Sequence, residues 1–148
     1  RYRRGLYTFR FRSVPYPVLQ AFDTPAGNAP CTRRDVSNSP LQALATLNEP
    51  LFFECATALG ALALAEGGET DQDRVSFVFQ RCVTRAPSDS EIDTLAKFVE
   101  RQRGRVIAGA LNPSEIVAGS ESDNPAELAV WTLLARVVLN LDETIVRQ

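Results

Sequence analysis

The side chains best suited to chemistry in this 148-residue chain crowd into its first third. Asp23, Arg33, Arg34 and Asp35 bracket a stretch rich in proline and asparagine, and Gln42 and Asn48 follow closely, with Glu49 beside Asn48. Carboxylates beside arginines act as an acid–base pair when burial drives their pKa values apart. The competing use is mechanical, since charge-assisted hydrogen bonds between such groups pin loops. Asn140-Leu-Asp-Glu143 is a second polar group, placed behind an apolar helix. It reads as a cap or a surface, because two adjacent acids do not make an oxygen cage for a metal.

Absences narrow the chemistry further. The chain has no histidine, and its cysteines, Cys31, Cys55 and Cys82, form no C-x-x-C pair. That excludes a histidine-ligated metal site, a C-x-x-C-H haem attachment and any imidazole triad, and no cofactor is expected. Gly67-Gly68 lacks the Lys-Ser/Thr of a phosphate loop and reads as a helix stop. If residues 51–65 and 71–84 are helices turning near Gly68, Cys55 and Cys82 stand 13 and 14 residues from that turn. Both are expected on inward faces at one height, which makes them a candidate pair; two unrelated small core residues is the other reading. Cys31 stays unpaired in either case.

The elements that must hold these residues are mostly helical. Residues 6–12 favour an extended strand, Pro15–Phe22 a short helix with Val18, Leu19 and Phe22 inward, and 23–38 a long ordered loop. From Ser39 onward helix starts recur. Ser39-Pro-Leu-Gln42, Asn112-Pro-Ser-Glu115 and Asn124-Pro-Ala-Glu127 each offer a polar cap, a proline at the first helical position and a Glu or Gln reaching back. Ser88-Asp-Ser-Glu91 is the same box without proline. Apolar stripes follow at helical spacing: Leu41, Leu44, Ala45 and Leu47 before Pro50; Leu51, Phe52, Cys55, Leu59, Leu62 and Ala63; Val75, Val78, Phe79 and Cys82; Ile92, Leu95, Ala96 and Val99. The widest stripe, Leu128 to Leu139, runs on toward Ile145 and Val146. Each stripe is expected to face its neighbours. The expected fold is mainly α: an antiparallel helical bundle of about five to six helices, with a short extended N-terminal segment and a long ordered loop. It forms one domain over 1–148, with an arm at 1–38 and the bundle at 39–148.

Composition (45% apolar, 23% charged) fits a globular protein. Residues 1–34 carry Arg1, Arg3, Arg4, Arg10, Arg12, Arg33 and Arg34 against Asp23 alone. With Tyr2, Tyr7, Phe9, Phe11 and Tyr16 between them, they resemble a grip for single strands. A sequence pI near 5.2 argues against a nucleic-acid partner. The longest apolar run, Leu51–Ala65, is broken by Glu54 and falls short of the about 20 residues a bilayer needs, so no membrane insertion is expected. A chain that opens on Arg1 and has no Met reads as a piece of a longer protein.

Four blocks, Arg3-Arg4-Gly-Leu-Tyr7, Phe22-Asp23 leading to Cys31-Thr-Arg-Arg34, Ser39–Pro50 and Leu139-Asn-Leu-Asp-Glu143, resemble the C-terminal part of a planctomycete-type domain of unknown function. That domain occurs in large secreted proteins, behind a second uncharacterised domain and often with a cytochrome c-like domain. The resemblance implies an extracytoplasmic location and places any haem in another domain. It draws attention to Asp23, Arg33, Arg34, Gln42 and Asn48 without assigning them a role. Two functions follow. One is a non-catalytic helical module docking onto upstream domains of the same polypeptide through an apolar, arginine-rimmed patch at residues 1–22. The alternative is a ligand-binding or hydrolytic domain, with a saccharide as the candidate ligand and a polar site around Asp23, Arg33, Arg34 and Asn48.

Overall fold

A computed structural model describes residues 5–9, 11, 14, 16–25, 27, 30–33, 36–120 and 122–146, with Leu6 by its backbone alone. Among the described residues the chain is mainly helical and holds no strand. A single 3-10 turn at Gly5–Tyr7 precedes α1 (Pro17–Ala21) and α2 (Pro40–Asn48). Then come α3 (Pro50–Glu66), α4 (Asp71–Val83), α5 (Asp89–Ile107), α6 (Pro113–Ile116), α7 (Pro125–Leu139) and α8 (Asp142–Ile145). The eight helices exceed the expected number through the four- and five-residue elements α1, α6 and α8.

Local chemistry sets most of the boundaries. Ser39 and Ser88 each close a full capping box, with Gln42 and Glu91. Asn112 and Asn124 cap through Ser114 and Glu127 N–H. Pro50 forces the residue before it out of helical geometry, so Glu49 is extended (ψ 126°) and the chain bends between α2 and α3. Gly68, at φ 95°, turns the chain after α3.

The core forms where α3, α4, α5 and α7 meet. It holds Ala63, Val75, Val78, Phe79, Leu95, Val99, Val130, Trp131, Leu134 and Val138. α3 and α7 share the most extensive contact, and Gly60 permits it. A Cβ at that position would stand 2.8 Å from the Thr132 backbone nitrogen.

Four expectations need correction. Gly5–Tyr7 forms a turn, with Thr8 N–H donating to Gly5 C=O at 3.0 Å. With no strand beside it among the described residues, the segment satisfies its backbone locally. α7 does not run on to Val146. It stops at Leu139, and the Thr144 hydroxyl from α8 takes the freed Val138 carbonyl at 2.8 Å. Cys55 and Cys82 are free thiols: Cys55 is exposed and Cys82 half-buried. α3 is rotated so that Cys55 faces out rather than inward. The fourth correction concerns α2. Leu41 and Leu44 are 67% and 56% exposed, whereas Gln42 is only 2% exposed.

Two arginine clamps tie distant helix ends together. Arg103 pairs with Asp71 (2.8 Å) and Glu127 (2.7 Å), joining α5 to the first turns of α4 and α7. Arg85 pairs with Glu91 and Glu143, both at 2.7 Å, and lies 4.8 Å over the Phe79 ring. Arg85, then the Ser88 amide and hydroxyl, hold the Glu91 carboxyl at about 2, below its ordinary 4.5.

Two predictions follow from this packing. Gly60→Ala should destabilise the chain by about 1–3 kcal/mol through overpacking, despite the gain in helix propensity. Gly104→Ala, at a helical site with nothing within 4 Å, should stabilise it by about 0.5–1 kcal/mol. Urea midpoints test both, and an unchanged or raised midpoint for Gly60→Ala would contradict the close approach. The clamp predicts acid behaviour. Because the folded Glu91 pKa is depressed, its stabilisation is complete above about 4.5 and drains away as pH falls toward 2. Glu91→Gln should flatten that part of the stability–pH curve; equal slopes in both proteins would refute the assignment.

Candidate functional site

Asp23 ends α1 in an unusual way. It takes a left-handed conformation (φ 54°). Its N–H donates to Gln20 C=O, and Thr24 N–H donates to Leu19 C=O at 3.0 Å. This is the two-bond helix stop that normally employs glycine. Here the carboxylate accepts from Ser37 N–H and Ser37 hydroxyl, both at 2.8 Å, and from Gln42 Nε2 at 3.3 Å. Gln42 serves two masters. Its Oε1 accepts from Ser39 N–H at 3.0 Å to close the capping box, and its amide reaches Ser37 Oγ (3.2 Å) and Asp23. Glutamine rather than glutamate is needed because this side chain must donate to a carboxylate. The network sews both ends of the loop to the start of α2.

The other end of α2 is sewn to α7. Thr46 hydroxyl meets Ala43 C=O and Asn140 Oδ1. Arg136 Nη2 donates to Leu47 C=O at 2.7 Å, with the guanidinium 5.0 Å over the Phe53 ring. Asn140 of the Leu139–Glu143 block thus meets Thr46 of the Ser39–Pro50 block, while Leu47 is held by Arg136. α2 is held by Gln42 and Thr46, its buried residues, and presents leucines outward.

Between α1 and α2 runs an open groove of about 540 Å³, lined by Val18, Ala21, Leu41 and Leu44 and rimmed by Asn48 and Glu49. Tyr16 hydroxyl donates to Glu49 at 3.4 Å. Of the residues singled out from sequence, Asp23 and Gln42 are joined directly. Asn48 lies on the groove and donates to Leu44 C=O at 2.9 Å. Arg33 is exposed, with its backbone carbonyl accepting from Cys31 Sγ at 3.0 Å. Arg34, Asp35 and the arginines at 1, 3, 4, 10 and 12 lie outside the described residues. Asp23, Arg33 and Gln42 do not line the groove. Among the described residues no group of three metal-ligating side chains occurs, and no helix is long and apolar enough to cross a membrane.

Sequence reading missed the partners that hold α2. Ser37, Thr46 and Arg136 carry no local signature. Asn140 did have one, inside the Leu139–Glu143 block. The Thr70–Asp73 capping box of α4 was legible as a T-x-x-D pattern before an apolar stripe.

Gln42→Glu tests the network. In an isolated helix it would keep the capping box, but here it sets a second carboxylate against Asp23, and one of the two resists ionisation. The raised folded pKa leaves the variant close to wild type near pH 4 and costs about 1–3 kcal/mol by pH 7. A deficit relative to wild type that is equal at both pH values, or absent, would disprove the contact.

Neither a curated protein nor a solved structure matches the chain. A family model described as PSD1, protein of unknown function (DUF1553), matches residues 1–99. It spans the Asp23 loop, α2, α3 and α4, and with them every residue of the network and the groove. By that match over well over half its length, the chain belongs to the PSD1 (DUF1553) family of proteins of unknown function.

Proposed function

We propose that this chain is a non-catalytic docking module that seats against upstream domains of the same polypeptide. One observation carries the reading. Among the described residues, ten of the eleven exposed large hydrophobic side chains fall between Tyr7 and Leu51, Ile107 being the other. Exposed apolar side chains concentrated in one stretch of chain, rather than scattered singly, support an interaction site. Here it is built deliberately: α2 buries amides and hydroxyls and turns Leu41, Leu44 and Leu47 to water. The α1–α2 groove, with its apolar floor, offers a seat for a partner's side chains.

The wider setting belongs to the same proposal. The chain acts as the C-terminal part of a planctomycete-type domain in a large extracytoplasmic protein with a cytochrome c-like domain elsewhere. Its arm (1–38) leads into an antiparallel bundle (39–148), and the two make one domain. The ligand-binding alternative needs Asp23, Arg33, Arg34 and Asn48 to face one cavity, and Arg34 lies outside the described residues. The described geometry instead commits the Asp23 carboxylate to Ser37 and Gln42 and leaves the groove mostly apolar.

Separately produced upstream domains should bind this chain with a dissociation constant of tens of micromolar or tighter, on the order of 6 kcal/mol. Leu44→Asp should weaken binding at least about tenfold, or 1.4 kcal/mol, and leave the urea midpoint within about 0.5 kcal/mol of wild type. Calorimetry showing no association, or equal affinity for the variant, would remove the docking reading.

A further inference from the structure

Most cations from α4 onward are already committed. Arg85 and Arg103 each hold two carboxylates. Arg74, Arg105 and Arg136 donate to Gly68 C=O, Gln102 Oε1 and Leu47 C=O. Among the described residues, Arg81, Lys97 and Arg101 make no hydrogen bond or ion pair. Two of these three, Lys97 and Arg101, line one groove of about 340 Å³ between α5 and α7. Leu95, Phe98 and Val137 form its apolar floor, and no carboxylate lines it among the described residues. Thr94 completes the lining, with its hydroxyl donating to Ser90 C=O at 2.7 Å.

The two cations are placed for one shared anion. The Arg101 guanidinium lies 5.5 Å over the Phe98 ring. Such stacking fixes the guanidinium plane and leaves its N–H edge free. Lys97 stands four residues earlier on the same face of α5, with Cβ atoms about 5–6 Å apart, so both heads reach one carboxylate. Helix geometry keeps α5's own acids off the groove. At about 100° per residue, Arg101 and Phe98 lie roughly 40° and 100° from Lys97 on the groove side, and Asp93 and Glu100 roughly 40° and 60° on the other. Asp93 stands in the favourable order for a four-residue pair with Lys97 and makes none.

Size and surroundings select a small ligand over a protein. The groove falls at the low end of the roughly 300–1,000 Å³ that small-molecule sites occupy. Among the described residues, no exposed large hydrophobic lies on α5 or α7 apart from Ile107. The apolar surface therefore stops at the groove, whereas a protein partner needs on the order of 800 Å² on each side.

We propose that the α5–α7 groove binds a small apolar carboxylate. Arg101 takes the carboxylate oxygens in its fork, Lys97 adds the second charge, and the apolar body lies on Leu95, Phe98 and Val137. Exposed ion pairs are weak and screened by salt, so the site is a low-affinity one. It shares no residue with the α1–α2 groove and does not depend on the docking reading.

Lys97 is the only lysine in the chain, so reductive methylation with carbon-13 formaldehyde labels its side chain alone and keeps its charge. Sodium octanoate should shift that signal saturably, with a dissociation constant between about 0.1 and 5 mM. Raising sodium chloride to about 0.5 M should weaken binding at least about threefold. Arg101→Gln should weaken it at least about fivefold with an unchanged circular dichroism spectrum, and Arg101→Lys should recover only part of the loss. Leu44→Asp should bind octanoate as the wild type does. A signal that does not saturate by about 20 mM octanoate overturns the proposal. So does an equal response to octyltrimethylammonium, which would leave an apolar crevice without anion selection, or to acetate, which would leave surface charge alone. Binding indifferent to Arg101→Gln, or lost in Leu44→Asp, would place the ligand elsewhere and overturn it too.

Discussion

The close approach of α3 and α7 at Gly60 is the constraint from which the rest of the molecule hangs. No side chain larger than hydrogen fits between the Gly60 Cα and the Trp131–Thr132 backbone. Thr132 keeps its own hydroxyl inside α7, donating to Leu128 C=O at 2.7 Å, so the crossing demands nothing polar from α3. With α7 pressed this close, Trp131, Leu134 and Val138 reach the side chains of α4 and α5. α7 also carries Arg136 to the Leu47 carbonyl, and Asn140 just beyond it to Thr46. Those contacts fix α2, and α2 fixes the Asp23 loop through Gln42. A displacement at Gly60 would pass along this chain of contacts to the groove.

α2 inverts the usual economy of an amphipathic helix. Leaving Leu41 and Leu44 in water forgoes on the order of 1.5–3 kcal/mol for each side chain, and burying Gln42 and Thr46 would add a penalty if they lacked partners. Each buried group has partners, so the polar side is satisfied at net energies of about 1 kcal/mol per bond. The leucines, more than half exposed at Leu41 and Leu44, gain only part of that burial among the described residues. That imbalance is what the docking proposal rests on.

The helices from α2 onward were legible because their signals are local. Capping boxes, prolines at first positions and Gly67-Gly68 act within a few residues, and the structure places boundaries close to them. What spacing cannot say is which way a stripe points. Leu41, Leu44 and Leu47 share a face, but nothing in their order reveals that Gln42 and Thr46 are wanted inside. Cys55 shows the same limit. Counting from Gly68 gives its height on α3 but not the helix rotation, which Gly60 decides by turning its own side toward α7. Asp23 and Gln42 drew attention by residue type, and their contact depends on a loop closing over 19 residues. The Arg103 and Arg85 clamps lay beyond reach for that reason, joining residues up to 58 positions apart.

The family match and the core do not divide the chain at the same place. Residues 1–99 supply Ala63, Val75, Val78, Phe79, Leu95 and Val99 to the main cluster, while Val130, Trp131, Leu134 and Val138 come from beyond the matched stretch. Without the residues after 99, Gly60 and Ala56 would line an open trough, α2 would lose Arg136 and Asn140, and the Arg103 clamp would lose both its own guanidinium and Glu127. The matched residues carry the Asp23 network and the groove, yet they cannot hold that shape alone. The later segment works as the internal wall against which the family's surface is built, and substitutions at Trp131 or Arg136 should therefore reach the groove without touching it.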